Sequence, residues 1–398
     1  MRLCMVTTFY PPYHFGGDAV FVRSLANSLC RRGHHVEVVH CEDSFRIRGG
    51  EPQREDDYDH GIVVHRLRSR LGPLSPLITQ QLGVPGPKAP ALRRILANDF
   101  DVVNFHNLSL VGGLGALALS RAPVTFYTVH EHWLLCPTHI LWKEEKKACD
   151  GPDCLRCSIR SGIPPQLWRY GSMRDSALRH VDMVLSPSEF TAQRHREGGV
   201  EIPIRVLPTY AHPVPRRDVP PPLRPRFVFS GRVTKSKGIE QLVRLFSRLP
   251  EFDLEVAGGG DLLERLRTAY AACEWIRFLG PLPHAAAAER FVGATAAVVP
   301  SLAPEVFPLS ILESFAAGTP VITRAAGGAA EAVEKFEAGI VADTEEAMES
   351  AVRRIAMEPE LRRSLRENAW RASEYYSEAR YVGEYLALID EVRAAKGQ

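Results

Sequence analysis

Two α/β domains, each built on a doubly wound parallel sheet, are predicted by three features of the sequence. The chain has 398 residues, more than one ordinary core holds and enough for two domains. Short β-branched or aromatic runs alternate with segments of helical spacing in both halves. Between the halves, Ala211 to Arg226 carries six prolines, which remove backbone donors and hold the chain extended.

The alternation opens with a strand from Leu3 to Val6. Val22, Leu25, Ala26 and Leu29 then recur at helical spacing up to Gly33, and Val36 to Val39 follows as a second strand. Further strands are expected at Asp101 to Phe105, Val124 to Val129 and Asp182 to Leu185, each ending near polar residues or proline. After the prolines the pattern restarts with a strand at Phe227 to Ser230, a helix from Ile239, a strand at Leu254 to Ala257, a helix near Leu262 and a strand at Ala296 to Val299. From Ser377, Tyr381, Val382, Tyr385, Leu388, Ile389 and Val392 fall on one face of a final helix. The expected organisation is a first Rossmann-like domain over 1–212 with a cysteine-containing insert near 131–175, a linker over 213–226, a second Rossmann-like domain over 227–376, and a terminal helix over 377–398.

Apolar residues make up 45% and charged residues 24%, the balance of a chain that packs a core. The net charge of +2 is too small for a nucleic-acid binder. The first residues, MRLCMVTTFYPPY, reach proline too soon for a secretory or anchoring segment. The longest nearly apolar run, Leu108 to Leu119, falls short of the ~20 residues that span a bilayer. A cytoplasmic location is therefore expected, in a reducing compartment where the eight cysteines are thiols or metal ligands rather than disulfides.

Four patterns carry chemistry. Gly16 and Gly17 lie between the first strand and its helix, where backbone N–H groups without side chains approach an anion. Gly231, Arg232, Lys237 and Gly238 surround the first strand-to-helix turn of the second domain, where open α/β sheets bind ligands. Two cations there suit a pyrophosphate whose charge grows as it leaves. In PSLAPEVFPLSILESFAAGTPVITRAAGG, seven residues separate Glu305 from Glu313. Pro308 suits the first position of a helix, so Glu305 falls in the loop before it and Glu313 about one turn inside, with Phe307 and Leu309 offering N–H groups to a phosphate. Lastly, His106 and His130 stand at the ends of predicted first-domain strands.

The stretch from Ser301 to Gly328 resembles the signature of the retaining glycosyltransferases of family 4: Glu305, Glu313, then Ala316, Gly318, Thr319, Pro320 and Val321, then Gly327 and Gly328. Gly16-Gly17, Arg232, Lys237-Gly238, Ala257 to Gly260 and Phe278-Leu279-Gly280 extend the resemblance over nearly the whole chain. It departs from the family at Val306 and Pro308, where glycines are common and where proline donates no N–H.

The resemblance implies a GT-B fold: two Rossmann-like domains face a central cleft, the first holds the acceptor and the second the nucleotide, and the terminal helix returns to the first domain. It implies transfer of a hexosyl unit, with retention, from a UDP- or GDP-linked donor to a glycan, lipid-linked or small-molecule acceptor, as in surface polysaccharide synthesis. Arg232 and Lys237 would hold the diphosphate, Glu305 the donor sugar and Glu313 the ribose, with His130 facing the sugar and His106 on the acceptor side. No catalytic metal is required, and the protein is expected at the inner face of a membrane as a peripheral component. An epimerase or phosphorylase on a similar fold, or a non-catalytic nucleotide-sugar-binding subunit, are the alternatives. A phosphorylase would need a lysine for pyridoxal phosphate, which nothing in the sequence marks.

Cys136, Cys149, Cys154 and Cys157 cluster after His130, and Cys154-x2-Cys157 is the common way to offer two thiolates to one ion. A structural zinc site is expected there, with an iron–sulfur cluster, redox pairs and free thiols as the other readings.

Overall fold

β-branched and aromatic residues form the strands, and the intervening amphipathic segments wind into the helices that cover them. The computed structural model describes residues 1–398 except 48, 50, 51, 53–60, 145, 152, 212, 213, 215, 218, 220, 221 and 398. The expected linker over 213–226 therefore lies partly outside the described residues. Two units separate: Met1–His139 with Asp153–Pro208 and Glu378–Gln398, and Ile140–Pro152 with Thr209–Ser377.

In the first unit, β1 (Arg2–Val6) leads to α1 (Gly17–Arg31) and β2 (His35–Cys41), then α2 (Glu42–Arg46) and β3 (Ile62–Leu67). The chain continues through α3 (Leu74–Leu82), α4 (Ala89–Leu96), β4 (Val102–Phe105) and β5 (Val124–Thr128). A hairpin, β6 (Trp142–Lys143) and β7 (Lys147–Ala148), falls in the Ile140–Pro152 segment that groups with the second unit; α5 (Cys154–Arg160) and α6 (Met173–Leu178) resume the first. β8 (Met183–Ser186), α7 (Glu189–Glu197) and β9 (Ile204–Val206) follow. The seven-stranded sheet runs β3-β2-β1-β4-β5-β8-β9, and every neighbouring pair is parallel.

The second unit repeats the plan. It comprises β10 (Arg226–Ser230), α8 (Ile239–Phe246), β11 (Asp253–Ala257), α9 (Leu263–Ala269), β12 (Ile276–Gly280), α10 (His284–Phe291) and β13 (Ala296–Val299). Then come α11 (Leu309–Ala316), β14 (Val321–Thr323), α12 (Gly328–Phe336), β15 (Gly339–Val341), α13 (Glu345–Met357) and α14 (Pro359–Tyr375). Its sheet runs β12-β11-β10-β13-β14-β15. In both sheets the order reverses beside the first strand, between β1 and β4 and between β10 and β13. Such reversals leave a crevice beyond the carboxyl ends of the strands, where open α/β sheets bind ligands.

The central strands of each sheet are buried on both faces and read as apolar runs, while the edge strands β3, β9 and β15 are partly exposed. Phe227, Phe246, Leu254 and Val256 pack one face of the second sheet, and Val228, Val299, Ile311 and Phe315 the other.

The last helix, α15 (Glu378–Ala395), belongs to the first unit. Tyr381 meets Phe21 of α1 edge-on at 5.2 Å, and Tyr385 meets Phe126 of β5 at 5.7 Å. Each fully buried aliphatic on this face, such as Val382 or Ile389, contributes about 2 kcal/mol. Ion pairs from Arg31 to Glu378 (2.8 Å) and Arg393 to Asp101 (2.6 Å) fix its two ends. Among the described residues, no helix is long and apolar enough to cross a membrane.

Candidate active site

The second unit builds its site on two loops that leave β10 and β13 at the reversal point. After β10, Gly231 donates to the Ala257 carbonyl (3.0 Å) and Val233 to the Gly259 carbonyl (2.8 Å), which lays this loop against the glycine turn after β11. A 3-10 turn, Lys235–Lys237, then ends at Gly238, whose φ of +70° is left-handed. A Cβ at Gly238 would stand 2.0 Å from the Pro300 carbonyl oxygen, so only glycine lets the two loops approach this closely. Leu302 and Ala303 both donate to the Ser236 carbonyl, at 2.9 and 3.0 Å.

These contacts place Lys237 beside Glu305. The Lys237 ammonium donates to Glu305 Oε1 at 2.5 Å, and the Ser301 hydroxyl donates to the same oxygen at 2.5 Å. The Glu305 backbone is held too: its N–H donates to Ala326 (2.9 Å) and its carbonyl accepts from Gly328 (2.8 Å). Burial pushes the Glu305 carboxyl up. The Lys237 charge and hydrogen bond, the Ser301 hydroxyl and the Arg232 charge outweigh burial and hold it below the usual glutamate value. Glu305 is thus an ionised carboxylate, its side chain 14% exposed, in a small cationic field.

Glu313 lies on α11, buried, with Oε1 2.7 Å from Nε2 of His284 at the start of α10. The helix begins one residue later than the sequence suggested: Pro308 is the N-cap in extended backbone and Leu309 is the first helical residue. The reason is local. Ile311 donates to the Pro308 carbonyl, so proline serves as the first acceptor of the helix rather than its first turn. The N–H groups of Leu309 and Ser310 then precede the first intrahelical bond and face outward from the helix start. The Phe307 ring packs edge-on against Tyr376 at 5.5 Å.

In the first unit, His106 and His130 come together at the ends of β4 and β5. His106 Nδ1 lies 2.9 Å from His130 Nε2, and the rings stack with centroids 5.2 Å apart. Burial, then the facing His130, lowers the His106 pKa well below the usual value. Burial also lowers that of His130, opposed by the charges of Asp18 and Glu131. Two neutral imidazoles sharing one proton satisfy this geometry. Gly16 caps α1 in ordinary extended backbone at φ −160° and Gly17 is the first helical residue, both exposed. Asp18 stands in the same first turn, where it accepts from Asn107 Nδ2 at 3.3 Å.

Four contributors escaped the sequence reading. Asp18 and Asn107 carried a signal, being polar residues directly after the glycine pair and after His106. Ser301 and His284 carried none, because only the fold brings them to Glu305 and Glu313.

Among the described residues, no three His, Cys, Asp or Glu side chains are grouped to hold a metal. Cys154 and Cys157 lie on α5 rather than on a hairpin. The Cys136 thiol is 3.2 Å from Thr138 Oγ1, and the Cys149 thiol donates to the Gly151 carbonyl at 3.4 Å. A helix puts a Cys-x2-Cys pair one turn apart on its surface, and local hydrogen bonds engage the other two thiols.

Comparison with known proteins bears on both units. The family described as Glycosyltransferase Family 4 matches residues 15–213, and Glycosyl transferases group 1 matches residues 216–371. A GDP-mannose-dependent alpha-mannosyltransferase of Mycolicibacterium smegmatis is 28% identical over 356 residues, covering 87% of this chain and 85% of that one. Among solved structures, a sucrose-phosphate synthase from Thermosynechococcus elongatus superposes with a TM-score of 0.74 at 20% identity, covering 99% of both chains. The Anabaena protein HepE, in complex with UDP and glucose, superposes with a TM-score of 0.68 at 16% identity, over 98% of this chain and 100% of that one. The two solved structures share the GT-B fold with this chain.

Proposed function

The chain belongs to glycosyltransferase family 4, and from that premise we propose that it moves a hexosyl unit from a nucleoside diphosphate sugar to a glycan or lipid-linked acceptor, with retention of anomeric configuration. One observation carries this reading: Lys237, Ser301 and Glu305 meet at the reversal point of the second sheet, with the charge of Arg232 acting on the same carboxylate.

The chemistry follows from that cluster. Lys237 exchanges Glu305 for the diphosphate and, with Arg232, stabilises the charge that develops as the diphosphate leaves. The N–H groups of Leu309 and Ser310 add the positive end of α11. Glu305, kept ionised and aimed by Ser301, accepts hydrogen bonds from sugar hydroxyls. Glu313, oriented by His284, accepts the ribose hydroxyls. The leaving phosphate oxygen takes the acceptor's proton on the face from which it departs, which gives retention. Two fixed cations supply the charge neutralisation that a divalent ion gives elsewhere, so no catalytic metal is needed. In the first unit, the neutral His106–His130 pair is assigned to carbohydrate hydroxyls. The mannosyltransferase relative and the UDP-bound neighbour support UDP- or GDP-hexoses as donors.

A thermal-shift series with UDP, GDP and their hexose conjugates tests the reading, because a ligand at 100 times its Kd stabilises by about 2.7 kcal/mol. Anomeric configuration of the product, read by NMR, tests retention. An inverted product, or stabilisation by no member of the series, would overturn it.

A further inference from the structure

The loop that carries Glu305 runs into α11 through three residues with little backbone freedom. Val306 is β-branched and favours extended backbone, Phe307 precedes a proline and is turned away from helical backbone, and Pro308 fixes its own φ, here −71°. α11 itself is anchored by its buried face, Ile311, Leu312 and Phe315. In so stiff a segment, whatever holds the Phe307 ring also decides where Glu305 stands two residues earlier.

Tyr376 holds that ring. It caps the carboxyl end of α14 and is only 4% exposed. Its ring meets Phe307 edge-on at 5.5 Å, Phe336 edge-on at 5.5 Å and the neighbouring Tyr375 at 5.1 Å. Tyr375 is pinned in turn by Lys335, whose ammonium donates to its hydroxyl at 2.8 Å. Phe336 is the last residue of α12, and the other end of that helix reaches Glu305. Gly328, its first residue, donates to the Glu305 carbonyl at 2.8 Å, and the Glu305 N–H donates to Ala326 at 2.9 Å. Tyr376 therefore bears on Glu305 by two routes, directly through Phe307 and along α12.

These anchors matter most during turnover. On the reading proposed above, the diphosphate takes Lys237 from Glu305, which leaves the carboxylate with Ser301 as its side-chain partner. The aim of Glu305 then depends on its backbone clamp and on the seated Phe307 ring. The nucleotide groups do not share this dependence: Glu313 is held within α11 by His284 at 2.7 Å, and Lys237 stands on the separate turn after β10.

We propose that Tyr376 is a positioning residue for sugar transfer, which through Phe307 aligns Glu305 with the donor sugar and leaves nucleotide binding alone. The proposal rests on the transferase reading, and the experiment separates the two. Tyr376→Ala and Tyr376→Leu should lower kcat by about tenfold to a hundredfold, since a misplacement of about 1 Å at a reacting centre costs up to about a hundredfold. Their Kd for UDP or GDP alone, measured by calorimetric titration, should stay at the wild-type value. Tyr376→Phe keeps the ring and should retain turnover. Phe307→Leu breaks the same contact from the other side while keeping an apolar side chain, and should give the same split. The double variant Tyr376→Leu, Phe307→Leu should be no slower than the slower single variant, because both remove one contact. Tyr375→Leu, which loses packing on Phe336 and Lys335, should lower Tm and leave kcat unchanged. Wild-type kcat in both Tyr376→Leu and Phe307→Leu would overturn the proposal alone, as would a fall in kcat matched by an equal loss of UDP or GDP affinity. A wild-type chain that binds neither nucleotide and turns over none of their hexose conjugates would overturn the transferase reading and this proposal with it.

Discussion

Lys237 and Glu305, separated by 68 residues in sequence, form an ion pair at 2.5 Å that ties the turn after β10 to the loop before α11. The lysine holds the carboxylate in its charged form, and neither side chain is fully in water. On the proposed reading, an incoming diphosphate would take the lysine and leave the carboxylate free for hydroxyls.

Removing either partner should therefore affect the reaction more than the fold. Lys237→Ala and Glu305→Ala are each expected to lower kcat by on the order of 10²-fold or more, as when one preorganised transition-state partner is lost. Steady-state kinetics on purified, folded variants checks this. A near-normal rate in either variant removes that residue from the mechanism.

Glu313→Ala should act on binding instead. Contacts to ribose hydroxyls are similar in ground and transition states, so the donor KM should rise with kcat little changed. His284→Ala, which removes only the partner 2.7 Å from Glu313, should give the same kind of change at smaller size. Titration with the nucleoside diphosphate alone separates the two roles, and an unchanged KM with a collapsed kcat in Glu313→Ala would contradict the assignment.

Long-range pairs of this sort explain what could be read from the sequence and what could not. The strands of the switch points were legible because they are short, apolar and bounded by polar residues. All six apolar positions assigned to the last helix are buried in α15. β3, β9, β14 and β15 were not legible: they are edge or near-edge strands of three to six residues, too short or too mixed to show a period. Glu305 and Lys237 could be named from a signature, but Ser301 and His284 could not, since a single serine or histidine has no spacing to detect. Spacing does not report whether Cys154 and Cys157 sit on a hairpin or on a helix, and the structure puts them on α5.

Gly238→Ala should destabilise the second unit by about 1–3 kcal/mol or more, the cost of a strained left-handed residue plus displacement of backbone. Its φ is +70° and the new Cβ would meet the Pro300 carbonyl oxygen at 2.0 Å, so the 235–237 turn must shift and carry Lys237 from Glu305. The same change at Gly231, where the Cβ would find only the Phe229 ring at 3.6 Å, should cost far less stability. Urea unfolding of the two variants compares them. Equal losses would show that the close approach of the loops does not set the stability of the turn.

Acid should weaken the first unit well above the range in which carboxylates titrate. His132 and His195 stack with centroids 5.9 Å apart in its interior, and His40 is buried among Tyr10 and Tyr13. Burial lowers their pKa values from 6.5 to about 3 for His132 and to about 4 for His40 and His195. The unfolded chain protonates each near 6.5, while the native unit resists until far lower pH. Their stabilisation is thus complete above pH 6.5 and is lost as pH falls toward about 4, at about 1.4 kcal/mol per pH unit for each imidazole that stays neutral. His106 and His130, also lowered, add in the same direction. Between about pH 6.5 and 5 the free energy of unfolding, measured in urea, should fall steeply, and His195→Gln should reduce the slope by up to one proton. A slope that is flat in the wild type, or unchanged in the variant, would show that these histidines do not govern the acid limit of the fold.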